Sequence, residues 1–133
     1  MISDITRMGE WSPESTGGTW KGGATGPAVD AKFAGTNSNG KKSWSTTCKV
    51  TAADPGSRFA FRVDVGLVKV ALWTYDIVAS DAGCTVTETW TDRRGAFAKM
   101  LGKPVSGVAD RAAHNRAGME ATLERLAAAA EAS

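Results

Sequence analysis

Trp73–Asp92, WTYDIVASDAGCTVTETWTD, alternates large apolar or aromatic residues with small polar ones on both sides of a turn. A period of two marks a strand with one buried face. With the turn at Ser80–Gly83, antiparallel pairing sets Ala79 against Cys84, Ile77 against Val86, Tyr75 against Glu88 and Trp73 against Trp90. One face of the hairpin therefore gathers Trp73, Tyr75 and Trp90, and with them a carboxylate, Glu88. The other face carries Thr85, Thr87, Thr89 and Thr91 and suits solvent. A carboxylate among aromatic rings is costly in a packed core but useful on the wall of a cavity.

The same period extends back to Ala31. A short turn at Gly66–Val68 puts Phe61 beside Trp73 and Phe59 beside Tyr75. One at Ala53–Gly56, within the strong turn sequence AADPGS, puts Cys48 beside Phe61. SNGKK turns the strand AKFAGTN into SWSTTCKV, where Trp44, Thr46, Cys48 and Val50 share the aromatic-rich face. Arg58, Arg62 and Asp64 have the opposite parity and belong on the outer surface. The strands agree on one face without any adjustment of register, so a meander of consecutive hairpins is expected. Upstream, residues 3–11 read as a short helical piece stopped by Trp-Ser-Pro, and a glycine-rich connection holds a brief strand at Thr19–Lys21. Trp11 and Trp20 lie outside the repeating face.

Downstream the period becomes helical. RRGAFAKMLGK starts the helix with Phe97, Met100 and Leu101 on one side, and Pro104 kinks or restarts it. From Val105 to about Ala130, an apolar stripe runs through Val108, Ala112, Met119, Leu123 and Leu126. His114 falls off that stripe and is expected to be exposed, near Asp110.

The 133 residues are enough for one domain, 1–133, with a real core. The net charge of +2 is small and its basic residues are dispersed, so no nucleic-acid partner is expected. The N-terminus has no apolar segment of the signal-peptide kind, and no apolar run approaches bilayer length, so a cytoplasmic location without integral membrane association is expected. Cys48 and Cys84 read as small buried free thiols. With one histidine and two thiols on non-adjacent strands there is no metal site, and GGATG lacks the lysine and helix start of a phosphate loop; no cofactor is expected.

A curved antiparallel sheet followed by a long amphipathic helix buries both by wrapping the sheet around the helix, an α+β architecture. The segments SDITRMGEWSP, DPGSRFAFRV, WTYDI and GCTVTETW, in that order and followed by a long helix, resemble the polyketide cyclase/dehydrase and lipid-transport family. That family belongs to the START-like, birch-pollen-allergen-like helix-grip superfamily (SRPBCC), and the resemblance covers almost the whole chain. It implies a cavity between sheet and helix for apolar or aromatic ligands, without implying one reaction. Family members usually begin with a strand and most of a helix before the segment matching SDITRMGEW, whereas here Met1 stands directly before it. The last strand, Cys84–Asp92, would then lack a partner along its outer edge, and a homodimer covering that seam is expected.

The resulting expectation is a small-molecule-binding protein with a pocket of roughly 300–1,000 Å³. A hydrophobic, lipid- or polyketide-like ligand would lie between Trp44, Phe61, Trp73, Tyr75, Glu88 and Trp90 and the helix residues Phe97, Met100 and Leu101. Two alternatives stand beside it. One is a cyclase- or dehydratase-type enzyme with Glu88 and Tyr75 as catalytic proton-transfer groups. The other is a protein-interaction module whose cavity is filled by its own side chains.

Overall fold

Alternating residues can bury one face only if consecutive strands keep their parity, and tight turns enforce this. The computed structural model describes residues 1–133 and forms six strands in the simplest order, β1-β2-β3-β4-β5-β6, all antiparallel. The strands are β1 (Ser15–Lys21), β2 (Lys32–Asn39), β3 (Lys42–Asp54), β4 (Arg58–Val65), β5 (Val68–Ser80) and β6 (Gly83–Asp92). A 3-10 turn at Ile5–Arg7 runs into α1 (Met8–Trp11), and α2 (Ala96–Ser106) and α3 (Arg111–Glu131) follow the sheet. The fold is α+β: a curved antiparallel sheet with a long C-terminal helix against its inner face.

The β5–β6 hairpin has the register its sequence predicts, with Tyr75 opposite Glu88 and Trp73 opposite Trp90. In β4–β5, Phe61 faces Trp73 and Phe59 faces Tyr75, also as expected. The β3–β4 hairpin differs. Its turn closes at Asp54 and Arg58, and Thr51 is an extra residue in the ladder, so Cys48 lies opposite Val63 and Val50 opposite Phe61. The offset on that stretch is two residues, so every side chain keeps its expected face. β1 is longer than expected, beginning at Ser15 with an irregularity before Gly17.

The core lies on this shared inner face. Phe33, Val50 and Ile5 are fully buried, and Cys48, Phe59, Phe61, Val63, Ala71, Tyr75 and Trp11 join them. Phe33 meets Trp20 and Phe61 edge-on at 5.5 and 5.3 Å between ring centroids, the arrangement that aromatic quadrupoles favour. Trp11 thus belongs to the core although it lies outside the alternating strands. Gly9 allows α1 to approach β1: a methyl group there would sit 2.9 Å from the Thr16 carbonyl oxygen. Cys84 is exposed rather than buried, because the β5–β6 hairpin tip extends beyond the core.

The C-terminal region corrects the expected helix phase. Pro104 sits inside the last turn of α2, and the break comes at Gly107, in the left-handed conformation (φ 75°) that glycine adopts readily. Asp110 then starts α3, its carboxylate accepting from the Ala113 amide at 3.1 Å. Restarting there shifts the inward face by part of a turn, although Val108 and Leu126 of the expected stripe are buried and Met119 lines the cavity. Asn115, Thr122 and Leu126 are buried and Arg111 and Gly118 half-buried, while Ala112 is exposed. Leu126 is the only apolar side chain of α3 in the buried core.

Phe33→Ala should therefore destabilise the fold by about 3–5 kcal/mol, the loss typical of a deleted core phenylalanine. Gly9→Ala should cost about 1–3 kcal/mol, because the backbone it meets cannot rotate away. Urea unfolding measures both, and a near-unchanged midpoint for Gly9→Ala would show that α1 is not seated on β1 as described.

Candidate functional site

Between the inner face of the sheet and α3 lies a cavity of about 310 Å³, at the lower end of the range typical of small-molecule sites. Its sheet wall is aromatic. Trp73 and Trp90 are cross-strand neighbours with ring centroids 6.5 Å apart, and Trp44, Phe61 and Tyr75 extend the surface. Strand alternation alone aims these side chains inward, because all have the parity of the buried face.

Glu88 stands among them. The Tyr75 hydroxyl donates to Glu88 Oε1 at 2.8 Å, while Glu88 Oε2 is buried with no hydrogen-bond partner. Burial pushes the carboxyl pKa up to about 7, and the Tyr75 hydrogen bond opposes part of that rise. Burial, and then the neighbouring carboxylate, hold Tyr75 well above the ordinary phenol range, so it stays a donor. A carboxyl group with one free oxygen and an affinity for a proton near neutrality can accept a hydrogen bond from a guest, or give and take a proton.

The opposite wall is mixed: Met119 and Leu126 of α3 and the inward face of α2 are apolar, and a polar cluster stands among them. Arg111, His114, Asn115 and Thr122 of α3 line the cavity, with Glu14 from the segment before β1 and Ser106 from the end of α2. Glu14 uses both carboxylate oxygens: Arg111 Nη1 donates to Oε1 at 2.6 Å, and His114 Nε2 lies 2.9 Å from Oε2. Arg111 also donates to Ser106 Oγ at 2.6 Å and to Asn115 Oδ1 at 3.2 Å, and its guanidinium lies 5.8 Å from the centre of the Trp44 ring. This network ties α2, α3 and the N-terminal segment together and gives the cavity a second polar pole. His114, expected on an exposed face, is half-buried and lines the cavity, because α3 restarts at Asp110. The Asp110 cap was the local signal that would have set this phase.

Of the helix residues expected to contact a ligand, only Leu101 lines the cavity. Phe97 and Met100 do not, and both are exposed. The inward stripe of α2 is Ala98, Leu101, Gly102 and Val105, and each residue step rotates a helix by roughly 100°, which turns Phe97 and Met100 toward solvent. Cys48 lines the cavity as a buried thiol whose pKa burial pushes up to about 11, so it is a poor nucleophile. No three His, Cys, Asp or Glu side chains converge in a metal-binding group.

Comparison with known proteins agrees with this geometry. The family model described as polyketide cyclase/dehydrase and lipid transport matches residues 1–131. The solution NMR structure of a polyketide-cyclase-like protein from Corynebacterium glutamicum superposes with a TM-score of 0.50 at 28% identity, covering 98% of this chain and 72% of that one. No curated protein matches the chain. A meander of six strands around an aromatic cavity closed by a C-terminal helix, matched along nearly its whole length, places the chain in the polyketide cyclase/dehydrase and lipid transport family.

Proposed function

We propose that the protein binds an apolar or aromatic small molecule in the cavity between sheet and α3. The rings of the ligand would lie against Trp44, Phe61, Trp73 and Trp90, with Leu101 at the helix side and a polar atom of the ligand at Glu88. The observation that carries this reading is the free, buried Glu88 Oε2 inside an aromatic cavity of about 310 Å³. A buried acceptor without a partner is unfavourable by itself and is relieved by a ligand hydroxyl or amide. An interaction module with a self-filled cavity is less well supported, because that volume stands open.

The fluorescent probe anilinonaphthalene sulfonate, an aromatic molecule of suitable size, should bind saturably with one site per chain, and Trp73→Ala should weaken it. Native mass spectrometry of protein purified from its own source should show a co-purifying small molecule. Absence of both signals would sink the binding proposal.

A second reading is favoured by the Tyr75–Glu88 contact at 2.8 Å: a proton-transfer enzyme of the cyclase or dehydratase type. Glu88 would exchange the proton and Tyr75 would orient it. Carboxyl NMR should find Glu88 titrating near 7 and responding to ligand. Because the folded-state pKa is raised, the folded protein holds this proton more tightly than the unfolded chain. Its contribution to stability is therefore fully present at low pH and is lost as pH rises through about 7. The melting temperature should fall between pH 5 and pH 8, and Glu88→Gln should flatten that fall. Titration of Glu88 in the ordinary carboxylate range would remove the proton-transfer role.

The sheet ends at β1 and β6, each with a single neighbour. The β6 edge carries threonines rather than charges or prolines to blunt it, so a second copy would add there. Sedimentation velocity should give a dimer. A monomer whose β6 amides resist hydrogen exchange would show that the edge is covered within the chain.

A further inference from the structure

The face of α2 that does not look into the cavity poses its own question. Phe97 and Met100 are 69% and 72% exposed. Leu101 and Val105, which line the cavity, are themselves half open to solvent. The β4–β5 turn borders the same cavity. Val65 and Val68 line the cavity too, and Leu67 at the tip is completely exposed. Apolar surface thus continues from the cavity lining over its rim onto the outside, on both a helix and a hairpin.

Charge follows the same rim. From Arg93 to Ala109 the chain holds Arg93, Arg94, Lys99 and Lys103 and no acidic residue, and Lys69 lies two residues beyond Leu67. Arg94 is engaged by Asp92 at 2.9 Å, but Arg93, Lys99, Lys103 and Lys69 form no ion pair. The chain's basic residues are dispersed as a whole, but this segment is locally one-signed: four cations and no carboxylate over seventeen residues. An amphipathic helix with phenylalanine, methionine and leucine on one side and lysines beside them is the composition that lies flat in the headgroup region of a bilayer. A protein partner would have to match this face with acidic side chains at defined positions. An anionic bilayer meets the same requirement at any orientation about its normal, through a diffuse negative surface and a hydrocarbon layer a few ångströms below.

We propose that α2 and the β4–β5 turn form a docking surface for an anionic lipid bilayer, with Phe97, Met100 and Leu67 entering the membrane and Lys69, Lys99 and Lys103 lying at the headgroups. Docked in this way, the cavity opens onto the membrane instead of water, so an apolar ligand could pass between them without crossing the aqueous phase. The docking itself does not depend on the cavity holding a ligand.

The test uses the whole chain and sucrose-loaded vesicles, sedimented with the protein. Vesicles of phosphatidylcholine with about one-third phosphatidylserine should bind it, and vesicles of phosphatidylcholine alone should bind it at least about tenfold more weakly. Lys99→Glu with Lys103→Glu should reduce binding by about tenfold or more, as should 0.5 M salt. Phe97→Ser with Met100→Ser should abolish it while leaving the circular dichroism spectrum and the melting temperature unchanged, because neither side chain is buried. The same variant should still bind anilinonaphthalene sulfonate in the cavity, which separates loss of docking from loss of the ligand site. Absence of binding to anionic vesicles at low salt would overturn the proposal. So would equal binding by the Phe97→Ser, Met100→Ser variant, or a dimer that this variant converts to monomer, since the face would then be covered by a second copy.

Discussion

The 2.6 Å ion pair between Glu14 and Arg111 determines where the long helix can lie. Its partners come from opposite ends of the chain, one before the first strand and one at the start of α3. Arg111 also bonds Ser106 and Asn115, and Glu14 also holds His114, so a single cluster fixes α2, α3 and the N-terminal segment together. Both carboxylate oxygens of Glu14 are engaged, which offsets the loss of water around these partly buried charges. If α3 rotated to present an apolar stripe to the sheet, Arg111 would lose these bonds.

The cavity follows from that constraint. The inner face of the sheet carries Trp44, Trp73 and Trp90, while α3 offers Arg111, Asn115, Gly118, Met119 and Thr122 along its inward length. Committed to hydrogen bonds on their own side of the cavity, Arg111, Asn115 and Thr122 do not reach across to fill the space before the tryptophans. At Leu126, with Ala129 beside it, α3 brings apolar side chains to the buried cluster, and there the helix closes on the sheet. The space left between the two walls is amphipathic, with Glu88 as one pole and the Arg111–His114 cluster as the other.

Glu88 shows how environment sets chemistry. Its register partner Tyr75 gives it one hydrogen bond, and burial denies it a second. The same residue type at Glu14, paired with an arginine, serves structure. Two carboxylates facing one cavity therefore have different roles, decided by whether a cation stands within reach.

Alternation and turns, which are local properties, already specify the sheet. Trp73 to Asp92 states its own pairing, and Tyr75 opposite Glu88 follows from counting residues across Ser80–Gly83. The aromatic wall was legible for the same reason, and even the bulge at Thr51 shifted pairing without changing faces. What apolar periodicity alone could not state was the phase of the helices. That phase depends on Gly107 and Asp110 breaking a segment that reads as continuous, and it puts Phe97 and Met100 outside and His114 inside. Nor could it join Glu14 to Arg111 and His114, which lie 97 and 100 residues further along the chain. Contacts of that separation leave no periodic trace in a sequence. They are decided when sheet and helix meet, because only then does a charge learn whether it will face water, an opposite charge or an aromatic wall.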